Sequence, residues 1–169
     1  YHLLQRRHRQ SRRIYCDSLN LSALPSYAVG AIIAYFITIC TEKRKNLFWM
    51  DNPSLGAPEK ICLSNTGTIV RDCIIAIPAH YPAVSVDRYV IMPNHIHLLL
   101  QINTDADGRS MIAPTAATVI RSLKGAASKR AGFSLWQKGF YDHVIRNDAD
   151  YLSVAEYIDT NPEKWNEDK

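Results

Sequence analysis

The order strand, helix, strand, strand, helix, strand, helix along 169 residues predicts an α+β domain. Its plan is a ferredoxin-like split β-α-β antiparallel sheet with helices on one face and an added C-terminal helix. Three observations carry this. Ala31 to Cys40 is a ten-residue apolar run rich in Ile, Tyr and Phe, broken only by Thr38, as a buried strand requires. His95 to Ile102 alternates, with Ile96, Leu98, Leu100 and Ile102 pointing one way and His95, His97, Leu99 and Gln101 the other. Two further segments carry apolar residues at i, i+3 and i+4 spacing and read as amphipathic helices.

Taken in order, residues 1–30 form a basic N-terminal segment with Arg6, Arg7, Arg9, Arg12 and Arg13, and residues 31–169 form a single domain. The uncharged stretch from Ser18 to Thr41 is long enough to cross a bilayer. Asn20, Ser22, Pro25, Ser26 and Gly30 interrupt it, which favours the strand reading, no membrane span and a cytoplasmic protein. A polar turn with a basic cluster follows from Thr41, then a Pro- and Gly-punctuated loop from Asp51 to Glu59. Ser64 or Thr66 is placed to cap a helix running to about His80, with Ile69, Val70, Cys73, Ile74 and Ile77 as its buried stripe. Val84 to Met92 alternates loosely and reads as the second strand, joined by a Pro93-Asn94 turn to the His95 strand in a hairpin.

Beyond a polar loop from Asn103 to Ser110, Thr115 to Ala131 predicts a helix stopped by Gly132, with Val119, Ile120, Leu123 and Ala127 inside. Leu135 to Arg146 reads as a further strand or a bulged strand pair. Asn147 or Asp148 caps the last helix, which Pro162 ends at about Asn161.

The 47% apolar and 21% charged composition is that of an ordinary globular domain. Cys16, Cys40, Cys62 and Cys73 are widely spaced and form no C-x-x-C pair, so they read as reduced cysteines. The net charge of +4 is unevenly spread. Arg109 to Arg146 holds seven Lys/Arg against the single acid Asp142, whereas Asn147 to Lys169 holds seven acids against two lysines. A basic band of this kind suits a polyanionic partner or simply a solvated face.

Two groups of residues carry chemistry. His95 and His97 lie on one side of a strand, close enough for two imidazoles to share a divalent cation, or to serve as ordinary polar-face histidines. Tyr157 and Asn161 stand one helical turn apart on a common face. There an amide oxygen can complete a metal site and a phenol can sit beside it, although packing and a helix stop explain the same residues. Tyr151, six residues before Tyr157, points in a different direction on the helix.

The segment Tyr89–Leu100, with His-Ile-His after Met-Pro-Asn, closely resembles the histidine-hydrophobic-histidine signature of single-tyrosine HUH transposases. Ala34–Phe48, Leu135–Arg146 and Glu156–Pro162 resemble segments of the REP-associated tyrosine transposase branch, in the same order. The resemblance covers roughly Ala34 to Trp165, and residues 1–30 depart from that family's N-terminal pattern. It implies metal-dependent cleavage and rejoining of single-stranded DNA near hairpins, without a nucleotide cofactor. His95, His97 and Asn161 would hold Mg²⁺ or Mn²⁺ against the scissile phosphate. Tyr157, on the added C-terminal helix, would attack phosphorus, form a 5′-phosphotyrosine and release a 3′-hydroxyl, keeping the phosphoester energy for rejoining.

With DNA as partner, Arg121, Lys124, Lys129 and Arg130 become candidate phosphate contacts, and Trp136, Phe140 or Tyr141 candidate stacking platforms. His143 is a candidate further ligand or DNA contact. Monomer and homodimer both fit. Two rival readings use the same residues differently: a non-catalytic ferredoxin-like nucleic-acid-binding protein, and a metal-dependent hydrolase built on the histidine pair.

Overall fold

Four strands form one antiparallel sheet in the order β2-β3-β1-β4, comprising β1 (Ile32–Cys40), β2 (Val84–Met92), β3 (His95–Asn103) and β4 (Tyr141–Val144). This is the split β-α-β order expected from the sequence. The structure, a computed structural model, describes residues 32–50, 62–104 and 114–165. The basic N-terminal segment, Ala31 and Arg109 therefore lie outside the described residues. Among the described residues no helix is long and apolar enough to cross a membrane, and Ile32–Cys40 is a strand.

One face of the sheet is closed by three helices, α1 (Asn65–Ile75), α2 (Ile77–His80) and α3 (Ala116–Ala131). Their apolar stripes, including Val70, Ile74, Val119, Ile120 and Leu123, meet Ile37, Ile39, Ile96, Leu98 and Leu100 of the sheet in the main core. Ser64 caps α1 by accepting a hydrogen bond from the Gly67 N–H at 3.0 Å. α1 stops at Ile75 rather than running on to His80, because Pro78 has no N–H to give back to the preceding turn; the chain restarts as α2 with that proline at its beginning. Thr115 caps α3, and Gly132 ends it in the left-handed conformation at φ 84°.

Among the described residues the other face carries only α4 (Asp148–Lys164), which buries Tyr151, Ala155 and Ile158 against Ala34, Val90, Met92 and Leu99. Pro162 does not end this helix. It falls in the last turn, where few backbone bonds remain to be lost, and the following Trp165 packs against Trp49 with ring centroids 6.3 Å apart.

The fourth strand is shorter than expected. Only Tyr141–Val144 pairs with β1. Residues 135–140 instead run along the end of β1, tied by Gln137 N–H to the Cys40 carbonyl (3.1 Å) and by Glu42 N–H to the Leu135 carbonyl (2.8 Å). Gly139, at φ 79°, supplies a turn that a side chain would resist.

Candidate active site

The hairpin turn at Pro93-Asn94 delivers His95 as the first residue of β3, and alternation puts His97 on the same face, beneath α4. Antiparallel register fixes their neighbours. Val90, His97, Thr38 and Tyr141 form one row across the four strands, and Arg88, Leu99, Phe36 and His143 the next.

The two imidazoles meet through their Nε2 atoms at 3.1 Å. Each ring is held from its other nitrogen. The His95 Nδ1–H donates to Asn94 Oδ1 at 2.7 Å, which leaves a lone pair on His95 Nε2. His97 Nδ1 lies 2.8 Å from the Thr38 hydroxyl. If that nitrogen donates to Thr38, both Nε2 lone pairs face the same point; if the hydroxyl donates, His97 Nε2–H bonds to His95. The pair can thus satisfy itself or turn both lone pairs on a cation.

Burial keeps the rings neutral. Desolvation, with the Arg44 charge adding to it, lowers the His95 pKa to about 4, and desolvation together with His95 lowers that of His97 to about 3. His97 is only 4% exposed. Two neutral imidazoles with converging nitrogens fit a divalent cation. Among the described residues no group of three or more His, Cys, Asp or Glu converges there; the third ligand expected from the sequence, Asn161, is an amide.

α4 carries that residue. Its N-terminus is capped by Asn147 Oδ1, which accepts from the Asp150 N–H at 2.9 Å. A β-bulge between Val86 and Arg88 interrupts the alternation of β2, which explains its loose pattern in the sequence and aims Asp87 and Arg88 at the helix. Tyr151 donates its hydroxyl proton to Asp87, and Arg88 donates to Asp159. Burial alone would lower the Arg88 pKa, but the Asp159 hydrogen bond and the nearby carboxylates hold it above the usual value.

With α4 fixed this way, Tyr157 sits over His97, ring centroids 5.2 Å apart, and meets Phe36 edge-on at 5.9 Å. Two turns further on, Trp165 lies 6.1 Å from His95. Asn161 falls midway between them on the same helical stripe. Tyr157 is 46% exposed, whereas Tyr151 is 6% exposed and engaged with Asp87. Of these two α4 tyrosines, the one open to a ligand is the one beside the histidines.

The other expected residues are dispersed. His143 lies on the site face, but its Nε2 pairs with Asp150 at 2.9 Å. Tyr141 is 60% exposed on the edge strand, in the same cross-sheet row as His97. Trp136 is given a packing place rather than a base-stacking one: it is buried against Phe48, ring centroids 5.4 Å apart, and Phe140 packs on the same core. Arg121, Lys124, Lys129 and Arg130 ride on α3, across the sheet from the histidines. Lys124 is committed to the Gln137 and Gly139 carbonyls (2.8 and 2.9 Å), and Arg130 reaches Asp72 at 3.6 Å.

Thr38, Asn94, Phe36 and Trp165 complete the surroundings of the pair and were not singled out from sequence. Asn94 had a signal in its place next to His95. Thr38 was visible only as the polar break in an apolar strand, since its pairing with His97 is a matter of register across 59 positions.

No protein-family model matches the chain. It is 30% identical over 154 residues to an uncharacterized protein of Haemophilus influenzae, covering 80% of this chain and 83% of that protein. It is 26% identical over 117 residues to the REP-associated tyrosine transposase of Escherichia coli, covering 69% of this chain and 66% of that one. Among solved structures it shares its fold with a REP-associated tyrosine transposase bound to a REP hairpin, at TM-score 0.58 and 22% identity over 86% of this chain and 74% of the other. The chain therefore belongs to the family of that Haemophilus influenzae protein, and a REP-associated tyrosine transposase stands among its more distant homologues.

Proposed function

We propose that the protein cleaves and rejoins single-stranded DNA near hairpins, with Tyr157 as nucleophile and a divalent cation, Mg²⁺ or Mn²⁺, held by His95, His97 and Asn161. The observation that carries this reading is the meeting of two distant segments: the exposed Tyr157 of the last helix rests on the neutral His95–His97 pair of β3. A homologue named as a transposase, and a shared fold with a transposase bound to a REP hairpin, support the DNA substrate.

In the cleavage step the Tyr157 phenol oxygen bonds to phosphorus as the bond from phosphorus to the 3′ oxygen breaks. The phenol proton passes to solvent, and the leaving 3′ oxygen takes up a proton to become a hydroxyl. The 5′ phosphate stays esterified to Tyr157, so attack by a 3′-hydroxyl reverses the step without ATP. A bound divalent cation supplies Lewis-acid polarisation and orientation of the phosphate. Thr38 and Asn94 hold the imidazoles in place, and the Arg88–Asp159 and Asp87–Tyr151 pairs hold α4, and with it Tyr157, over them.

The test is a labelled single-stranded hairpin incubated with protein and Mn²⁺, then run on a denaturing gel. A covalently shifted band is expected, absent in Tyr157→Phe or with a chelator and retained in Tyr151→Phe and Tyr141→Phe. An adduct that persists in Tyr157→Phe refutes the nucleophile. Released fragments with no adduct would instead mark a hydrolase, and a complex on a native gel with no cleavage a binding protein.

A further inference from the structure

The turn after β1 carries Glu42, Lys43, Arg44 and Lys45, all exposed, on a backbone held from beneath. Thr41 is wholly buried, and its hydroxyl lies 2.8 Å from the Lys45 carbonyl and 3.0 Å from that of Asn94. Its N–H also donates to the Asn94 carbonyl, at 2.9 Å. Lys43 and Arg44 both adopt φ 55°. Two consecutive left-handed residues that are not glycine are unfavourable and persist only where their surroundings impose them, a pattern concentrated at ligand-binding positions.

This turn is joined to the histidine pair. Asn94, which accepts from His95 Nδ1, also reaches the Arg44 carbonyl with its amide at 3.4 Å. The Arg44 charge is near enough to bear on the His95 ring. Three cations and one carboxylate are therefore carried by an exposed turn bonded to Asn94, the residue that holds the His95 ring. The α3 cations, by contrast, lie across the sheet and can serve DNA only away from the cleaved bond.

We infer that the turn from Glu42 to Lys45 is a phosphate-binding site for the single strand entering the His95–His97 centre. Arg44 contacts a phosphate next to the one that reacts, and Lys43 and Lys45 add charge to the same patch. The inference rests on the proposed DNA cleavage and assigns the path of the substrate backbone. Guanidinium suits this task because its fixed fork of donors matches phosphate oxygens.

The test is the salt dependence of binding to an unstructured single strand roughly eight nucleotides long, followed by fluorescence anisotropy. A Tyr157→Phe background keeps the strand from being consumed. Each lost phosphate contact lowers the slope of log affinity against log salt by about 0.7 for single strands. Arg44→Gln should therefore lose about 0.7 and the Lys43→Gln, Arg44→Gln, Lys45→Gln triple about 2. Arg44→Lys, which keeps the charge, should retain the slope, and Arg121→Gln with Lys129→Gln should leave it unchanged. All altered side chains are exposed, Thr41 is untouched, and circular dichroism with Mn²⁺ titration confirms an intact fold and centre. Binding with an unchanged slope in the turn variants, or a loss confined to the α3 variant, overturns the inference while leaving the cleavage reading intact. A Tyr157→Phe protein that binds no single strand overturns that reading and the inference with it.

Discussion

The two faces of the sheet use the same strands for different ends. On the face covered by α1, α2 and α3, Ile96, Leu98, Leu100 and Ile102 of β3 are at most 3% exposed and packed against helices. On the other face the same strand presents His95, His97, Leu99 and Gln101 beneath a single helix. The three-helix face stabilises the fold through apolar area. The single-helix face gives up part of that area to place two desolvated imidazoles and an exposed phenol. One residue along β3 is the difference between a side chain packed in the main core and one that faces the candidate centre.

Neighbouring substitutions on β3 should separate these roles. His97→Gln should lower Mn²⁺-dependent cleavage by more than about 100-fold, the upper end of what losing even a ligand's hydrogen-bond partner costs, with the thermal midpoint little changed. Leu98→Ala should do the reverse, costing about 2–5 kcal/mol of stability for a fully buried leucine while cleavage per folded molecule persists. Gel assays and denaturant titrations on both proteins check this. Full cleavage by His97→Gln would remove that face from the chemistry.

A smaller loss is expected at Gly67, where α1 meets the strand-end loop on the three-helix side. A Cβ there would lie 2.2 Å from the Phe48 carbonyl oxygen. Backbone cannot give way as a flexible side chain can, so Gly67→Ala should cost about 1–3 kcal/mol. It should leave Mn²⁺ affinity alone, as measured by calorimetry.

Acid should reveal the single-helix face. In the folded protein His95 and His97 titrate at about 4 and about 3, against 6.5 for a free histidine. The unfolded chain therefore binds more protons over that interval. Stability from this source is complete above about pH 6.5 and falls as pH drops toward 4 and below, by about 3 kcal/mol per ring. Urea titrations of metal-free protein from pH 7 to 4 should show the decline, and a His95→Asn, His97→Gln double variant should flatten it. An equal decline in that variant would assign the acid sensitivity elsewhere.

The contrast between the faces also governs what could be read from sequence. Alternation in His95–Ile102 gave both faces of β3, because a period of two needs no partner to be seen. The caps were equally local, each offered beside one alternative: Ser64 or Thr66, and Asn147 or Asp148, of which the structure uses Ser64 and Asn147. What depended on tertiary pairing was hidden. Thr38 finds His97 only through strand register, the Asp87 bulge appeared merely as imperfect alternation, and nothing local distinguishes Trp136 as core from Trp136 as a base platform. The α3 cations formed a band in sequence, but helix packing places them across the sheet from the histidines. Pro162 suggested an end to α4 that the packing of Trp165 overrides.

The smallest effect concerns the start of α4. Asn147 Oδ1 satisfies the Asp150 N–H, and its loss in Asn147→Ala should cost about 1 kcal/mol. The cap lies about ten residues before Tyr157 at a helical rise of 1.5 Å each. Between them Tyr151 is tied to Asp87, and beyond Tyr157 Asp159 is tied to Arg88. Those two anchors should confine the damage to the first turn. Hydrogen exchange is expected to quicken at residues 150–152 and not at 157–161, with cleavage nearly unchanged. Faster exchange along the whole helix would mean that the cap, rather than the Asp87 and Arg88 pairs, holds Tyr157 in place.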